Sequence, residues 1–173
     1  MGITSGKKIA LIGFMGVGKT SVARHLSYLL ELERKDLDYF IEEKEGRSIA
    51  DIITLDGEPG FRKIETANLK GLLAESAVPI LSLGGGAWTI EENRNILASH
   101  GYITVWLEST FDHCWLNIRF SRKDRPLAQD KEKALKLFED RQSIYCLADW
   151  HFIIRPDFSS LDVARRMADE IFN

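Results

Sequence analysis

Gly13-Phe14-Met15-Gly16-Val17-Gly18-Lys19-Thr20 lies between the apolar run Ile9-Ala10-Leu11-Ile12 and a stretch in which Val22, Leu26 and Leu29 recur at helical spacing through Leu30. A run that is apolar on both faces and stops at a glycine reads as a buried strand. The eight residues therefore carry the pattern GxxxxGK[ST] in its working context, strand before and helix after. Glycines let the backbone turn so that several N–H groups point at one phosphate, and the helix N-terminus adds its dipole. Lys19 supplies a point charge for the β/γ oxygens, and the Thr20 hydroxyl suits Mg²⁺. Gly13, Gly16, Val17, Gly18, Lys19, Thr20 and Ser21 are the candidate nucleotide-binding residues, with ATP or GTP as ligand.

Outward from this loop the strand–helix alternation continues. Pro79-Ile80-Leu81-Ser82-Leu83 runs into Gly84-Gly85-Gly86; Tyr102 to Leu107 is β-branched and aromatic; His151 to Ile154 is a short late strand; Glu33 to Leu37 is a weaker one. Helical periodicity covers about Ser48–Leu55, Pro59–Leu73, Ile90–Ser99, Phe111–Arg119, Lys131–Leu147 and Leu161–Ile171. Such alternation predicts an α/β architecture of three layers, a parallel sheet between helices, with ligands beyond the carboxyl ends of the strands.

The chain has 173 residues, 45% hydrophobic and 28% charged, which suits one globular domain. Its 23 Lys and Arg against 26 Asp and Glu give a net charge of −3, without the basic footprint that nucleic acid or a membrane surface selects. Cys114 and Cys146 form no CxxC pair, so reduced thiols and a cytoplasmic setting are expected. The four histidines (His25, His100, His113, His151) show no zinc spacing. No apolar run spans a bilayer, and Met1-Gly2 lacks the Ser or Thr that myristoylation needs, since Gly6 stands there. No aspartate is followed by Gly at the third position and NKxD is absent, which disfavours a signalling GTPase. A small-molecule kinase fits the length.

Such a kinase needs a carboxylate near Mg²⁺, a group to orient the acceptor, and cationic clamps. Asp36-Leu37-Asp38 ends the second predicted strand, where residues two apart share a face, so both carboxylates are expected to point into one cleft. The strand ending Ser82-Leu83 has no aspartate before its turn, which leaves Asp36 as the metal-side carboxylate together with Thr20. Gly84, Gly85 and Gly86 allow close approach of backbone to a ligand. Ala134, Phe138, Arg141 and Tyr145 share one helix face, placing the Arg141 guanidinium on an apolar side where it needs an anionic partner. Arg62, beside Phe61, is three residues from Glu65, which can hold it in one rotamer. Two arginine forks suit a planar carboxylate. Arg119, Arg122, Lys123 and Arg125 cluster in a loop of the kind that closes over ATP and brings an arginine to the transferring phosphate.

Together these residues resemble the shikimate kinase family, through GFMGVGKT, the DLD–IE segment, GRSIADI–DGEPGFRKIE, the LGGGA turn, RPL and the RxxxY helix, which span most of residues 8–148. The resemblance implies a P-loop NTPase fold of the adenylate-kinase type, with a five-stranded parallel sheet ordered 2-3-1-4-5. It also implies transfer of a phosphoryl group from MgATP to the 3-hydroxyl of shikimate in aromatic amino-acid biosynthesis. On matching positions, Asp38 would bind and deprotonate or orient the hydroxyl, with Lys19 and Arg125 as the other catalytic groups. Asp36 and Thr20 would serve Mg²⁺, and Arg62 and Arg141 would clamp the carboxylate. Gly84, Gly85 and Gly86 would line the pocket, with Phe61 and Ile53 as its apolar wall. Substrate-binding helices would occupy about 36–65 and a lid about 119–128, in a monomer acting on a small molecule. Ser143-Ile144, Ala128 and Ile53 depart from the commoner family residues, and on the adenine side Arg119 and the Arg155-Pro156 loop match poorly. A related kinase acting on gluconate or a nucleoside monophosphate, or a nucleotide-binding regulator with an idle site, are the alternatives.

Overall fold

The computed structural model describes residues 6–155 and 157–172; Met1, Gly2 and Pro156 lie outside this range. Five strands, β1 (Lys8–Ile12), β2 (Arg34–Asp36), β3 (Ile80–Ser82), β4 (Tyr102–Glu108) and β5 (Trp150–Ile153), form one sheet ordered β2-β3-β1-β4-β5. Every pairing is parallel, with Ile9 opposite Ile80 on one side and Ile103 on the other. β1 is central, and Ile9 to Ile12 are completely buried, which explains a run without a polar face. β5 is the edge, and Trp150 and Ile153 remain partly in solvent.

The helices are α1 (Lys19–Leu30), α2 (Leu37–Glu45), α3 (Ile49–Glu75), α4 (Glu91–Ser99), α5 (Phe111–Phe120), α6 (Lys131–Tyr145) and α7 (Ser160–Met167). They cover both faces of the sheet, α1 packing on α7 and α2 on α3. α6 stops at Tyr145, two residues short of the periodicity, and α7 passes into a π-helical turn over Ala168–Phe172 instead of continuing regularly.

Two local departures shape the ligand-binding edge. The first concerns the acidic pair. β2 ends at Asp36, whose carboxylate accepts hydrogen bonds from the backbone N–H groups of Asp38 (3.0 Å) and Tyr39 (3.4 Å) and so starts a helix there. Asp38 is thus in the first turn of α2, and the two-residue strand periodicity expected to align it with Asp36 does not apply. The second is in α3, where Gly57 (φ 73°, ψ 167°) interrupts the helix one residue before Glu58 and two before Pro59. Proline opens the second segment without losing a hydrogen bond it could have made. The two predicted helices are these two segments.

The phosphate loop is anchored from beneath. The Phe14 ring meets Phe138 of α6 edge-on, with centroids 5.1 Å apart, and Phe138 meets Phe111 of α5 at 5.6 Å. Cys114 is buried behind the loop and Cys146 is exposed, both as free thiols. Among the described residues no helix is long and apolar enough to cross a membrane.

Candidate active site

At the carboxyl ends of β1, β2 and β3 the structure opens into a cleft of about 510 Å³, lined by the phosphate loop, the start of α2, both parts of α3, the triple-glycine turn and the loop after α5. Gly13, Gly16 and Gly18 all have positive φ (141°, 81° and 105°). At Gly16 a Cβ would also overlap the Cys114 carbonyl, so neither the backbone angle nor the packing tolerates a side chain. Lys19 is buried, and its Nζ donates to the carbonyls of Gly13 (2.7 Å) and Phe14 (3.1 Å). Burial lowers its pKa to about 8, against the raising influence of Asp38, Cys114 and Asp36. An ammonium held this way gains from any anion that enters the loop. The Cys114 thiol is itself pushed up to about 11 by burial, so it stays a neutral packing group.

Thr20 Oγ1 donates to Asp36 Oδ2 at 2.9 Å, which sets a hydroxyl and a carboxylate side by side next to the phosphate loop. Among the described residues no group of three or more His, Cys, Asp or Glu could hold a metal on its own. Mg²⁺ needs only one or two protein oxygens, since phosphate oxygens and waters complete its octahedron. Thr20 and Asp36 fit the ion.

At the other end of the cleft three consecutive glycines lie against three charged side chains, and at two of them, Gly84 and Gly86, a Cβ would not fit beside its neighbour. A Cβ on Gly84 would stand 2.7 Å from Asp38 Oδ1, one on Gly85 3.5 Å from Arg141 Nη1, and one on Gly86 would fall within the Arg62 guanidinium. The turn therefore brings together groups from α2, α3 and α6. All three glycines line the cleft, as the sequence reading expected, and Gly84 and Gly86 also leave room for the protein's own Asp38 and Arg62 side chains.

Arg62 Nη1 donates to Glu65 Oε2 at 2.8 Å and Nη2 to Glu58 Oε1 at 2.9 Å. Burial would lower the Arg62 pKa, but the two carboxylates outweigh it and the net shift is upward, so the guanidinium is firmly charged. Glu65 is completely buried; burial raises its pKa to about 6, against the pull of Arg62. Arg141 is 5% exposed on the apolar face of α6, as its spacing predicted, and its Nη1 has no hydrogen-bond partner among the described residues. Tyr145, one turn on, donates its hydroxyl to the Gly85 carbonyl and pins α6 to the glycine turn. Phe61 and Ile53 line the same cleft.

The loop after α5 reaches over the opening. Arg125 is half-buried, its Nη1 has no hydrogen-bond partner among the described residues, and burial lowers its pKa against the attraction of Asp38. Lys123 Nζ lies 3.3 Å from Asp38 Oδ2, a contact that sequence spacing could not reveal. Arg119 is exposed and does not line the cleft. At the nucleotide end the wall comes instead from His113 and Asn117 of α5 and from Ile154 and Phe158, and Asn117 Nδ2 donates to the Gly16 carbonyl at 2.8 Å. The i, i+4 pairing of His113 and Asn117 on a helix that starts at the ligand edge was the available signal for this wall.

This geometry has close relatives. A family model described as shikimate kinase matches residues 15–172. The shikimate kinase of Streptococcus suis (strain 05ZYH33) is 41% identical over 140 residues, covering 79% of this chain and 83% of that protein. The shikimate kinase of Helicobacter hepaticus is 35% identical over 164 residues, 94% of this chain and 95% of the relative. Among solved structures, shikimate kinase from Acinetobacter baumannii in complex with shikimate superposes with a TM-score of 0.86 at 34% identity, over 97% of this chain and 94% of that one. A family match over residues 15–172, with relatives 35–41% identical over most of their length and a solved structure that superposes over nearly the whole chain, shows that the chain belongs to the shikimate kinase family.

Proposed function

We propose that this cleft transfers the γ-phosphoryl group of ATP to the 3-hydroxyl of shikimate, giving shikimate 3-phosphate and ADP. The observation that carries the acceptor assignment is the pair of guanidinia, buried Arg141 and partly buried Arg62, meeting at Gly85 and Gly86, with Arg141 Nη1 unpaired among the described residues. A buried cationic donor without a partner is costly, and a planar carboxylate satisfies it. Asp38, from the first turn of α2, meets the same glycine turn at Gly84 and lines the same cleft as Lys19.

The roles follow from position. The backbone N–H groups from Gly16 to Ser21 cradle the β-phosphate, and Lys19 exchanges the Gly13 and Phe14 carbonyls for phosphate oxygens. Thr20 and Asp36 hold Mg²⁺, which when bound neutralises phosphate charge. Arg62 and Arg141 take the acceptor carboxylate, while Phe61 and Ile53 pack under the ring. The acceptor oxygen attacks the γ-phosphorus, the bond to the bridging oxygen breaks, and the hydroxyl proton passes to the Asp38 carboxylate as ADP leaves. Arg125 stabilises the spreading charge once residues 119–128 close and Lys123 has released Asp38. Positioning and charge neutralisation supply most of the acceleration.

An ADP-release assay across shikimate, gluconate and a nucleoside monophosphate tests the assignment. Turnover with shikimate alone is expected; ATP binding without acceptor-dependent turnover would mark an idle site.

A further inference from the structure

We propose that Glu58 is a built-in stand-in for the acceptor's carboxylate: it occupies the arginine clamp while the site is empty and is displaced when the substrate binds. One oxygen, Oε1, lies 2.9 Å from Arg62 Nη2 and 3.9 Å from Arg141 Nη2, so a single carboxylate already bridges the two guanidinia. The inference rests on reading Arg62 and Arg141 as that clamp.

The two glutamates on Arg62 are not equivalent. Glu65 is completely buried on the same helical segment and holds Nη1 at 2.8 Å, a fixed partner. Glu58 is 41% exposed, against 13% for Arg62 and 6% for Arg141. It follows the helix interruption at Gly57, and its Oε1 accepts from Arg62 Nη2 on the side where Arg141 Nη2 also approaches. Two guanidinia held this close repel each other and have lost most of their hydration, and Glu65 offsets only one of the two charges. Glu58 supplies the second anion, with one oxygen between the two forks.

An entering carboxylate makes the same contacts, so Glu58 can leave to water at no loss of charge pairing. A neutral molecule of similar shape cannot compensate the arginines and leaves Glu58 in place. The exchange lowers apparent affinity by the fraction of molecules in which the clamp is free. In return it selects for an acid.

The test is titration of nucleotide-free protein with shikimate and with its uncharged methyl ester, for wild type, Glu58→Gln and Arg141→Lys. If the clamp is free about 10–30% of the time, Glu58→Gln binds shikimate about 3–10-fold more tightly. The ester gains nothing. The variant melts at a lower temperature than wild type without ligand, and the deficit vanishes at saturating shikimate. A structural lesion would weaken binding, so tighter binding is specific to the stand-in. Unchanged or weaker shikimate binding by Glu58→Gln, an equal gain for the ester, or a melting deficit that persists in the complex would each overturn it. Arg141→Lys separates the two levels. If it weakens shikimate while Glu58→Gln brings no gain, only the stand-in falls. If it leaves shikimate binding unchanged, the clamp is misplaced and both fall.

Discussion

The Thr20 hydroxyl donates to the Asp36 carboxylate at 2.9 Å, and the other oxygen of that carboxylate caps α2. One side chain therefore joins the phosphate loop to the helix that carries Asp38, and the two ends of the cleft are set by a common group.

This double duty can be taken apart by substitution. Asp36→Asn keeps a capping oxygen and loses the charge, whereas Asp36→Ala loses both. Both variants are expected to need more Mg²⁺ for half-maximal rate. Only Asp36→Ala should lose about 1 kcal/mol of stability in urea unfolding, the usual worth of an N-cap.

Lys19→Met should lower kcat by at least about 10²-fold, as removal of a placed charge-stabilising donor does. The stability comparison has a defined sign. The Lys19 pKa falls from 10.5 to about 8 on folding, so the cost of burying the ammonium is fully present below pH 8 and fades as pH rises toward 10.5. Wild type should therefore gain stability relative to Lys19→Met between pH 7 and pH 10, read from paired melting curves.

Glu65 titrates within reach of assay conditions. Its pKa rises on folding to about 6, so the folded state binds the extra proton between about 4.5 and 6, and the destabilisation seen above pH 6 is relieved as pH falls through that window. Protonation also removes the charge that fixes Arg62. The KM for shikimate should climb as pH drops below 6 in wild type, and in Glu65→Gln it should be high and flat over the same range.

Gly86→Ala places a methyl group where the Arg62 guanidinium sits. It should reproduce the phenotype of Arg62→Ala, a shikimate KM raised by roughly 2–5 kcal/mol of lost pairing, with ATP affinity little changed. Normal acceptor KM in Gly86→Ala would show that Arg62 is not held by the turn.

Asp38→Asn preserves shape and removes the proton acceptor. A fall in kcat of about 10²–10⁴ with a modest change in acceptor KM is expected if the carboxylate takes the proton. A large KM effect at near-normal kcat would assign it to binding alone, and single-turnover rates separate the two.

Much of this molecule was readable locally. GxxxxGK[ST] after an apolar run specifies a strand, a turn with positive φ and a helix start, because each is set by neighbours along the chain. The spacing of Ala134, Phe138, Arg141 and Tyr145 put a guanidinium on a buried face, and it is there. The spacing of Arg62 and Glu65 also survives as a 2.8 Å ion pair. At the acidic pair both carboxylates do line one cleft, but not for the reason strand periodicity gives. A three-residue strand is too short for its periodicity to persist, and the Asp36 cap converts the next residues to helix.

Sequence alone thus determined the phosphate loop, the alternating elements and the identity of the charged groups, since propensity, periodicity and turn chemistry act over a few residues. Only the tertiary structure decided that Asp38, Arg62 and Arg141 meet at one turn, that Gly84 and Gly86 leave room for the first two, and that Glu58 bridges the arginines while Lys123 covers Asp38. These contacts join segments that meet only because β3 lies beside β1 in the sheet and α6 packs back against the glycine turn. No spacing along the chain encodes a distance of that kind.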